Sequence, residues 1–409
     1  MKKNLLALIH GEWASHTIKI VEIAKALRDT GGYDITFSGV GEYMQKMVKP
    51  AGFDWVETPT LPKKQIYEAI TTKIVPRVFQ ENDAERYYKV ESELLEKHKP
   101  DIILRDLFRE FAGVAAKKQK IYDVFVQQAN CSHLYYMDYF RPSSFPRSLD
   151  KLLPMWAVHP FAHKIQDAVR RRVHKPIRDL VAKVGLPLNP CAPEGYEADL
   201  VLFPDTEQLF PFPNRKDFYK YLGPILLGDN NCSPSWLEEF REEPRKRVLI
   251  TNGSTTLDDK TEMFADTFKD DKFAIAFETS GDKPVPRKFY GGHKFNVDLV
   301  LPYVDVFITH GGMGSTYFGL KNGVPMLIIP NHFEQEINGH QLNLIGAGLY
   351  LMKKSLSEKA VKMAVEKIVS DDSFRQRAME ISSDLKGKNP LELAVQYISE
   401  GYGKFKGAS

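Results

Sequence analysis

Short apolar runs alternate along the chain with stretches whose apolar positions fall at helical spacing. Residues 5–9 read Leu-Leu-Ala-Leu-Ile, an unbroken apolar run that predicts a strand buried on both faces. From His16 the pattern changes: Ile20, Ile23, Ala24 and Leu27 share one helical face, and the helix they predict stops at Gly31-Gly32. Residues 33–38 form the next strand. Strand, helix, strand at this spacing is a βαβ unit, which predicts an α/β protein with a parallel sheet covered by helices. The alternation continues with a strand at 102–104, a helix over 108–118 and a strand at 198–202, the last of the first half. Strands follow at 247–251, 273–277, 304–309 and 324–329. A capping box, Ser355-Leu356-Ser357-Glu358, opens a helix to about Val369. Pro390 opens a final helix with Leu391, Ala394, Val395 and Ile398 on one face.

Size turns this pattern into two domains. A chain of 409 residues exceeds one ordinary core. The polar, turn-rich stretch 229–234 reads as a linker, with the boundary near 225. The expected units are 1–224, 225–388 and a terminal helix over 389–409. Composition is that of a globular protein, 43% hydrophobic and 27% charged, and a net charge of +3 gives no argument for nucleic acid. Cys131, Cys191 and Cys232 are odd in number and lack metal-like spacing, which fits a reducing compartment. The apolar stretch after Met1-Lys2-Lys3-Asn4 is too short for a signal-peptide core, and no apolar run approaches the roughly 18 residues of a membrane span. The expected location is cytoplasmic.

The densest chemistry lies between Val304 and Gln335. A β-branched strand leads into His310-Gly311-Gly312-Met313-Gly314-Ser315-Thr316, where glycines let the backbone turn and approach a ligand. Ser315 and Thr316 read as the caps of the following helix. A second strand ends at Pro330, before Glu334-Gln335. A strand, a glycine turn and a helix N-terminus together make an anion site, because unpaired N–H groups and the helix dipole stabilise a phosphate or diphosphate. No Gly-Lys-Ser/Thr follows, so this is not a P-loop, and Gly-Gly-x-Gly is not the dinucleotide fingerprint. A glycine-rich turn that binds nothing has the same spacing.

This stretch resembles the donor-binding signature of the family 1 glycosyltransferases, a His-x-Gly-x-x-Ser/Thr turn followed by Gly-Val-Pro and an acidic-Gln pair. The tract Gly319-Leu320-Lys321-Asn322-Gly323 is closest to its sterol and bacterial natural-product (macrolide-type) branches. The resemblance implies the GT-B fold, two Rossmann-like domains with parallel sheets facing across a cleft, and a terminal helix that packs back on the first domain. It implies that His310, Gly312, Met313, Gly314, Ser315 and Thr316 take the donor diphosphate. Gly11, Gly253 and Ser254 also approach the donor, and Glu334 with Gln335 holds the sugar. Aligning Ala24-Lys25-Ala26-Leu27 with the family's matching helix places the catalytic base at His16, with His10 as second choice. Pro100-Asp101 through Asp106 is similar to the family's Pro-Asp-x-x-x-x-Asp segment, which implies that Asp106 holds the base by hydrogen bond. Both residues follow strands at the edge of a parallel sheet where ligands bind, although Asp106 fits a helix N-cap equally well.

The implied reaction is inverting and metal-independent, with no cofactor beyond the nucleotide-sugar co-substrate. A sugar passes from a uridine or thymidine diphosphate donor to a hydroxyl of a partly apolar small-molecule, lipid or glycan acceptor. Segments 60–98 and 130–176 would shape the acceptor pocket; Tyr135, Tyr136, Tyr139, Phe140, Phe145, Trp156 and Phe161 are either its lining or ordinary core. Arg170-Arg171-Arg172, His174, Lys175 and Arg178 could meet an anionic acceptor or a membrane surface, but such runs are more often a solvated face. Two departures stand out. Phe318 replaces the Glu that binds both ribose hydroxyls in many members, and residues 296–302 run almost directly into the strand, shortening the loop that frames the donor base. A nucleotide-sugar epimerase, or a nucleotide-sugar-binding protein without catalysis, therefore stays open beside the transferase.

Overall fold

The computed structural model describes residues 2–408 except 72–78, 80–81, 135–161, 228–232, 252–259, 280–283, 287 and 294. The first half holds seven strands, β1 (Lys3–Leu8), β2 (Tyr33–Ser38), β3 (Asp54–Val56), β4 (Ile102–Arg105), β5 (Tyr122–Val126), β6 (Leu200–Phe203) and β7 (Tyr219–Tyr221). They form one sheet in the order β3-β2-β1-β4-β5-β6-β7, with every pairing parallel. The second half holds β8 (Lys246–Thr251), β9 (Phe273–Thr279), β10 (Tyr290–His293), β11 (Val306–Thr309), β12 (Met326–Ile328) and β13 (Gly348–Tyr350), in the parallel order β10-β9-β8-β11-β12-β13. In each sheet the strand order reverses once, between β1 and β4 and between β8 and β11. Such switch points open the crevice in which open α/β sheets bind ligands.

Burial on both faces explains the unbroken apolar runs. Leu5, Ala7 and Ile9 point to one side of β1, against Ile20, Ile23 and Leu27, while Leu6 and Leu8 point to the other, against Leu94 and Ala112. Each such leucine or isoleucine contributes roughly 1.5–3 kcal/mol. The terminal helix Pro390–Ala408 packs on this first sheet through Ala394, Ile398 and Tyr402. Tyr402 donates to Asp101 at 3.0 Å, and a side chain on Gly401 would strike the Tyr122 hydroxyl. A further apolar cluster joins the halves, running from Phe203, Phe210 and Tyr219 to Met313, Tyr317 and Leu320.

Four local expectations change. Residues 198–202 do not hold the last strand of the first half, because β7 adds to β6; the three residues Tyr-Lys-Tyr are too short to show a period. The helix after β4 is Glu110–Gln119 rather than 108–118, because Phe108 and Arg109 belong to a turn closed by Asp106. The helix Glu358–Ser370 is capped by Ser357, which accepts from the Ala360 amide at 3.2 Å, and not by Ser355. Residues 297–300 form a short helix capped by Asn296, so the segment before β11 is compact rather than a loop.

Candidate active site

β11 delivers His310 to the carboxyl edge of the second sheet, and the helix Met313–Lys321 begins at once. Its N-cap is Gly312 in extended conformation, with no side-chain cap. Ser315 and Thr316 lie inside the first turn, which corrects their reading as caps. The Thr316 amide makes the first helical bond, to the Gly312 carbonyl at 2.9 Å, so the N–H groups of Met313, Gly314 and Ser315 are the free ones. Gly314 is exposed, Gly312 and Ser315 are half-buried, and Met313 and Thr316 are buried. The Thr316 hydroxyl is enclosed without a hydrogen-bond partner, so Thr316 can serve an anion only through the turn it stabilises.

His310 folds over this turn. A Cβ on Gly312 would lie 2.6 Å from His310 Nε2, so only glycine lets the imidazole sit there. Burial lowers the His310 pKa to about 4, with the charges of His332 and Lys260 adding to the effect. The imidazole is neutral, and two further basic side chains stand near it. Lys260 donates to Asn331 at 2.8 Å. The turn is braced from behind by Asn338, whose Nδ2 donates to the Gly311 carbonyl at 2.8 Å while its Oδ1 accepts from Asn130 of the first half at 2.8 Å.

Glu334 is half-buried at the start of the helix Phe333–Leu344, and burial raises its pKa against the opposing pull of Lys19 and a bond from Asn130. Gln335 is buried, and its Oε1 accepts from the Asn331 amide at 2.8 Å. The pair is therefore split: the Glu334 carboxylate reaches the cleft while the Gln335 oxygen shapes the loop behind it. Phe318 packs on the apolar cluster that joins the halves. Gly253 and Ser254 lie outside the described residues.

At the facing edge, His10 follows β1 and Asp106 follows β4, on either side of the first switch point. His16 is the third residue of the helix Ala14–Asp29, half-buried, with its ring 4.9 Å from that of Phe108. Burial, then the nearby charges of Lys19 and His10, lower its pKa to about 3. Asp106 does not hold this imidazole. Its Oδ2 accepts from the His10 amide at 2.9 Å and its Oδ1 from the Phe108 amide at 2.9 Å. The carboxylate thus pins the turn that carries Phe108, and Phe108 packs against His10, Trp13 and His16. His10, the second choice for the base, is buried with its Nε2 on the Leu61 carbonyl at 2.6 Å. Gly11 adopts a φ of +75°, and a Cβ there would meet the Val40 carbonyl at 2.3 Å, so the fold itself requires glycine at this position.

Residues outside the sequence reading complete the cleft. Lys19 lies one helical turn beyond His16, and Asp205 follows β6, where its Oδ2 accepts from the Ala129 amide at 2.7 Å. Tyr317 accepts from the Thr206 amide at 2.8 Å, a second bond between the halves. The signal was available: Lys19 is three residues past His16, and Asn338 is four past Glu334, the spacings that share a helix face. The basic cluster is engaged locally, with Arg170 on the His133 carbonyl, Arg171 on Pro190, Arg178 on Ala192 and Lys175 on Asp179. The aromatic tract from Tyr135 to Phe161 lies outside the described residues. Among the described residues no helix is long and apolar enough to cross a membrane, and no group of three or more His, Cys, Asp or Glu side chains is arranged to hold a metal ion.

Comparison with known proteins adds a second line. The profile of a family described as UDP-glucoronosyl and UDP-glucosyl transferase matches residues 296–409. An NDP-glycosyltransferase of Bacillus subtilis (strain 168) is 25% identical over 188 residues, a match spanning 44% of this chain and 48% of that protein. A PGL/p-HBAD biosynthesis glycosyltransferase of Mycobacterium tuberculosis (strain ATCC 25177 / H37Ra) is 22% identical over 400 residues, 93% of this chain and 88% of the relative. The solved structure of the glycotransferase of kitacinnamycin superposes with a TM-score of 0.70 at 19% identity, covering 97% of this chain and 98% of the other. That likeness shows the fold.

Proposed function

We propose that this chain of GT-B fold is a family 1 glycosyltransferase, and that it transfers a sugar with inversion from a nucleoside diphosphate donor to a hydroxyl of a partly apolar small molecule. The reading rests on the first turn of the helix Met313–Lys321, where three unpaired amides stand beside His310. Preorganised donors of this kind act on charge as it develops, here on the departing diphosphate. Backbone amides and basic side chains suffice for that role, so the proposal needs no divalent metal.

In the proposed step an acceptor oxygen attacks the anomeric carbon, the bond from that carbon to the diphosphate breaks, and the acceptor proton passes to the His16 imidazole. A pKa of about 3 keeps His16 neutral and able to accept a proton, though it makes a weak base. Negative charge growing on the leaving diphosphate favours the imidazolium, so the base strengthens as the reaction proceeds. Phe108 fixes the plane of the ring, and Asp106 acts through Phe108 as a positioning residue. Uridine diphosphate is the first candidate for the donor nucleotide, and thymidine diphosphate stays open as the second because Phe318 offers no carboxylate to a ribose. Lipid and glycan acceptors and a cytoplasmic location extend the same reading.

The test is a thermal-shift screen with uridine, thymidine, guanosine and adenosine diphosphates, followed by product analysis with the matching sugar donor and a panel of phenolic and aliphatic alcohols. A ligand that binds only the native state raises the melting temperature. One diphosphate is expected to do so, and its sugar conjugate to give a glycoside. No shift from any of the four at millimolar concentration defeats the reading.

A further inference from the structure

Lys19 projects from the same helix face as His16, one turn farther along. Lys19 is half-buried as a residue; burial lowers the pKa of its ammonium, while Asp205 and Glu334 draw it back up. Between Lys19 and Glu334 stands the carboxamide of Gln128, from the loop after β5. In the orientation that satisfies both neighbours, its nitrogen donates to Glu334 Oε1 at 2.9 Å and its oxygen accepts from Lys19 Nζ at 3.2 Å. Gln128 is buried, so this bridge from one half of the molecule to the other is built into the cleft wall.

The chemistry of the two ends restricts what can bridge them. An ammonium only donates, and an ionised carboxylate only accepts. A bridging group must therefore accept from one and donate to the other. A carboxamide does this with two atoms, and a sugar hydroxyl does it with one. A deoxy position does neither, and a protonated amino group can serve Glu334 but not Lys19. Resting on the function proposed above, we infer that Lys19 and Glu334 form a sugar-hydroxyl subsite, that the Gln128 carboxamide fills it here in the manner of a hydroxyl pair, and that Lys19 selects donors hydroxylated at that ring position over deoxy and amino sugars.

The test uses the full chain and calorimetric titration. The probes are uridine and thymidine diphosphates, the glucose conjugate of whichever binds, and its monodeoxy analogues. The enzymes are wild type, Lys19→Met and Gln128→Ala. One deoxy analogue is expected to bind wild type roughly ten- to a hundredfold more weakly than the glucose conjugate, the range for a hydrogen bond to a charged group. The same analogue should lose clearly less on Lys19→Met, where only the bond to Glu334 remains to be lost, as a double-mutant cycle requires of a direct pair. The bare diphosphate should bind both enzymes equally, and Gln128→Ala should bind the glucose conjugate at least as tightly as wild type. If every deoxy analogue loses the same factor on wild type and Lys19→Met, the subsite is overturned and glycosyl transfer stands. A Gln128→Ala enzyme that keeps the diphosphate but loses the glucose conjugate overturns the role given to Gln128. Should Lys19→Met no longer hold the bare diphosphate, Lys19→Gln is judged by the same outcomes. Binding of neither diphosphate to wild type overturns the subsite together with the function.

Discussion

The two edges that face each other across the cleft are built by different means. On the side we propose for the donor, the turn is mostly backbone: three amides at a helix N-terminus, set by Gly312 and braced by the Asn338 side chain on the Gly311 carbonyl. On the acceptor side, buried side-chain charges hold the frame. Arg109 joins Glu91 at 2.6 Å and also donates to the carbonyls of Ile9 and Ser38, where β1 and β2 end. Arg105 joins Asp123 at 2.7 Å beneath the same edge. Backbone sites follow from local conformation, whereas a charge network depends on which distant residues the fold brings together. The donor side should therefore be intolerant of added bulk and the acceptor side sensitive to lost charge.

The sharpest separation of the two sides comes from His16→Ala. Loss of a general base lowers turnover by about a hundred- to ten-thousand-fold, while affinity for the nucleoside diphosphate should stay within about twofold, since the proposed anion site is built from the other half. Steady-state rates together with a diphosphate titration measure both. Unchanged turnover would remove His16 from the chemistry.

Gly312→Ala makes the reverse cut. The added methyl group meets His310 Nε2 at 2.6 Å, so the imidazole or the turn must move. We expect diphosphate binding to weaken on the order of tenfold, with little loss of melting temperature because the helix behind the turn remains packed. Wild-type affinity in this variant would show that His310 need not lie over the turn.

The same contrast explains what the sequence could reveal. The turn on the second sheet was legible because glycine spacing, a strand before it and a helix after it are all local properties; His310 through Gly314 fall at that turn and helix start, while Ser315 lies inside the first turn and not at the cap. The strands β1, β2, β4, β6, β8, β9, β11 and β12 were legible for the same reason, as short apolar runs. β3, β7, β10 and β13 were not, because edge strands of three or four residues carry no period. On the acceptor side, position was legible and partnership was not. Asp106 stands at the carboxyl end of β4 as expected, yet its oxygens meet the amides of His10 and Phe108. Nothing local to Asp106 shows that residue 10 would present a backbone N–H there. Gln335 shows the same limit, since its oxygen accepts from the Asn331 amide and closes the 331–335 turn, a partnership its own sequence neighbourhood does not reveal.

Asp106→Asn tests this partnership directly. Asparagine keeps one acceptor and turns an N–H toward a backbone amide, leaving a buried donor unsatisfied at a cost of roughly 1–3 kcal/mol. Urea unfolding should show that loss. Turnover should fall through displacement of Phe108, and the pH dependence of turnover should not move, because Asp106 touches no atom of His16. A shifted pH profile with unchanged stability would return Asp106 to the role of a direct partner of the base.

The smallest effect comes from the charge cluster beneath the acceptor side. Burial raises the Glu110 pKa to about 7, with Glu194 adding and His174 opposing. His174 is pulled down by burial, but Glu194 and Glu110 outweigh it and leave its pKa above the usual 6.5. Both groups hold protons more tightly folded than unfolded, so both contribute stability at low pH and lose it as pH rises. For Glu110 that contribution is complete below its unfolded value of 4.5 and is lost through about 7. Between pH 6 and 8 its share is roughly 1 kcal/mol. The melting temperature should fall more steeply with pH over that window in wild type than in Glu110→Gln, whose neutral amide cannot titrate. Parallel curves for the two proteins would mean that Glu110 is already ionised in the fold, and that the frame of the acceptor side is less dependent on buried charge than the contrast between the two edges requires.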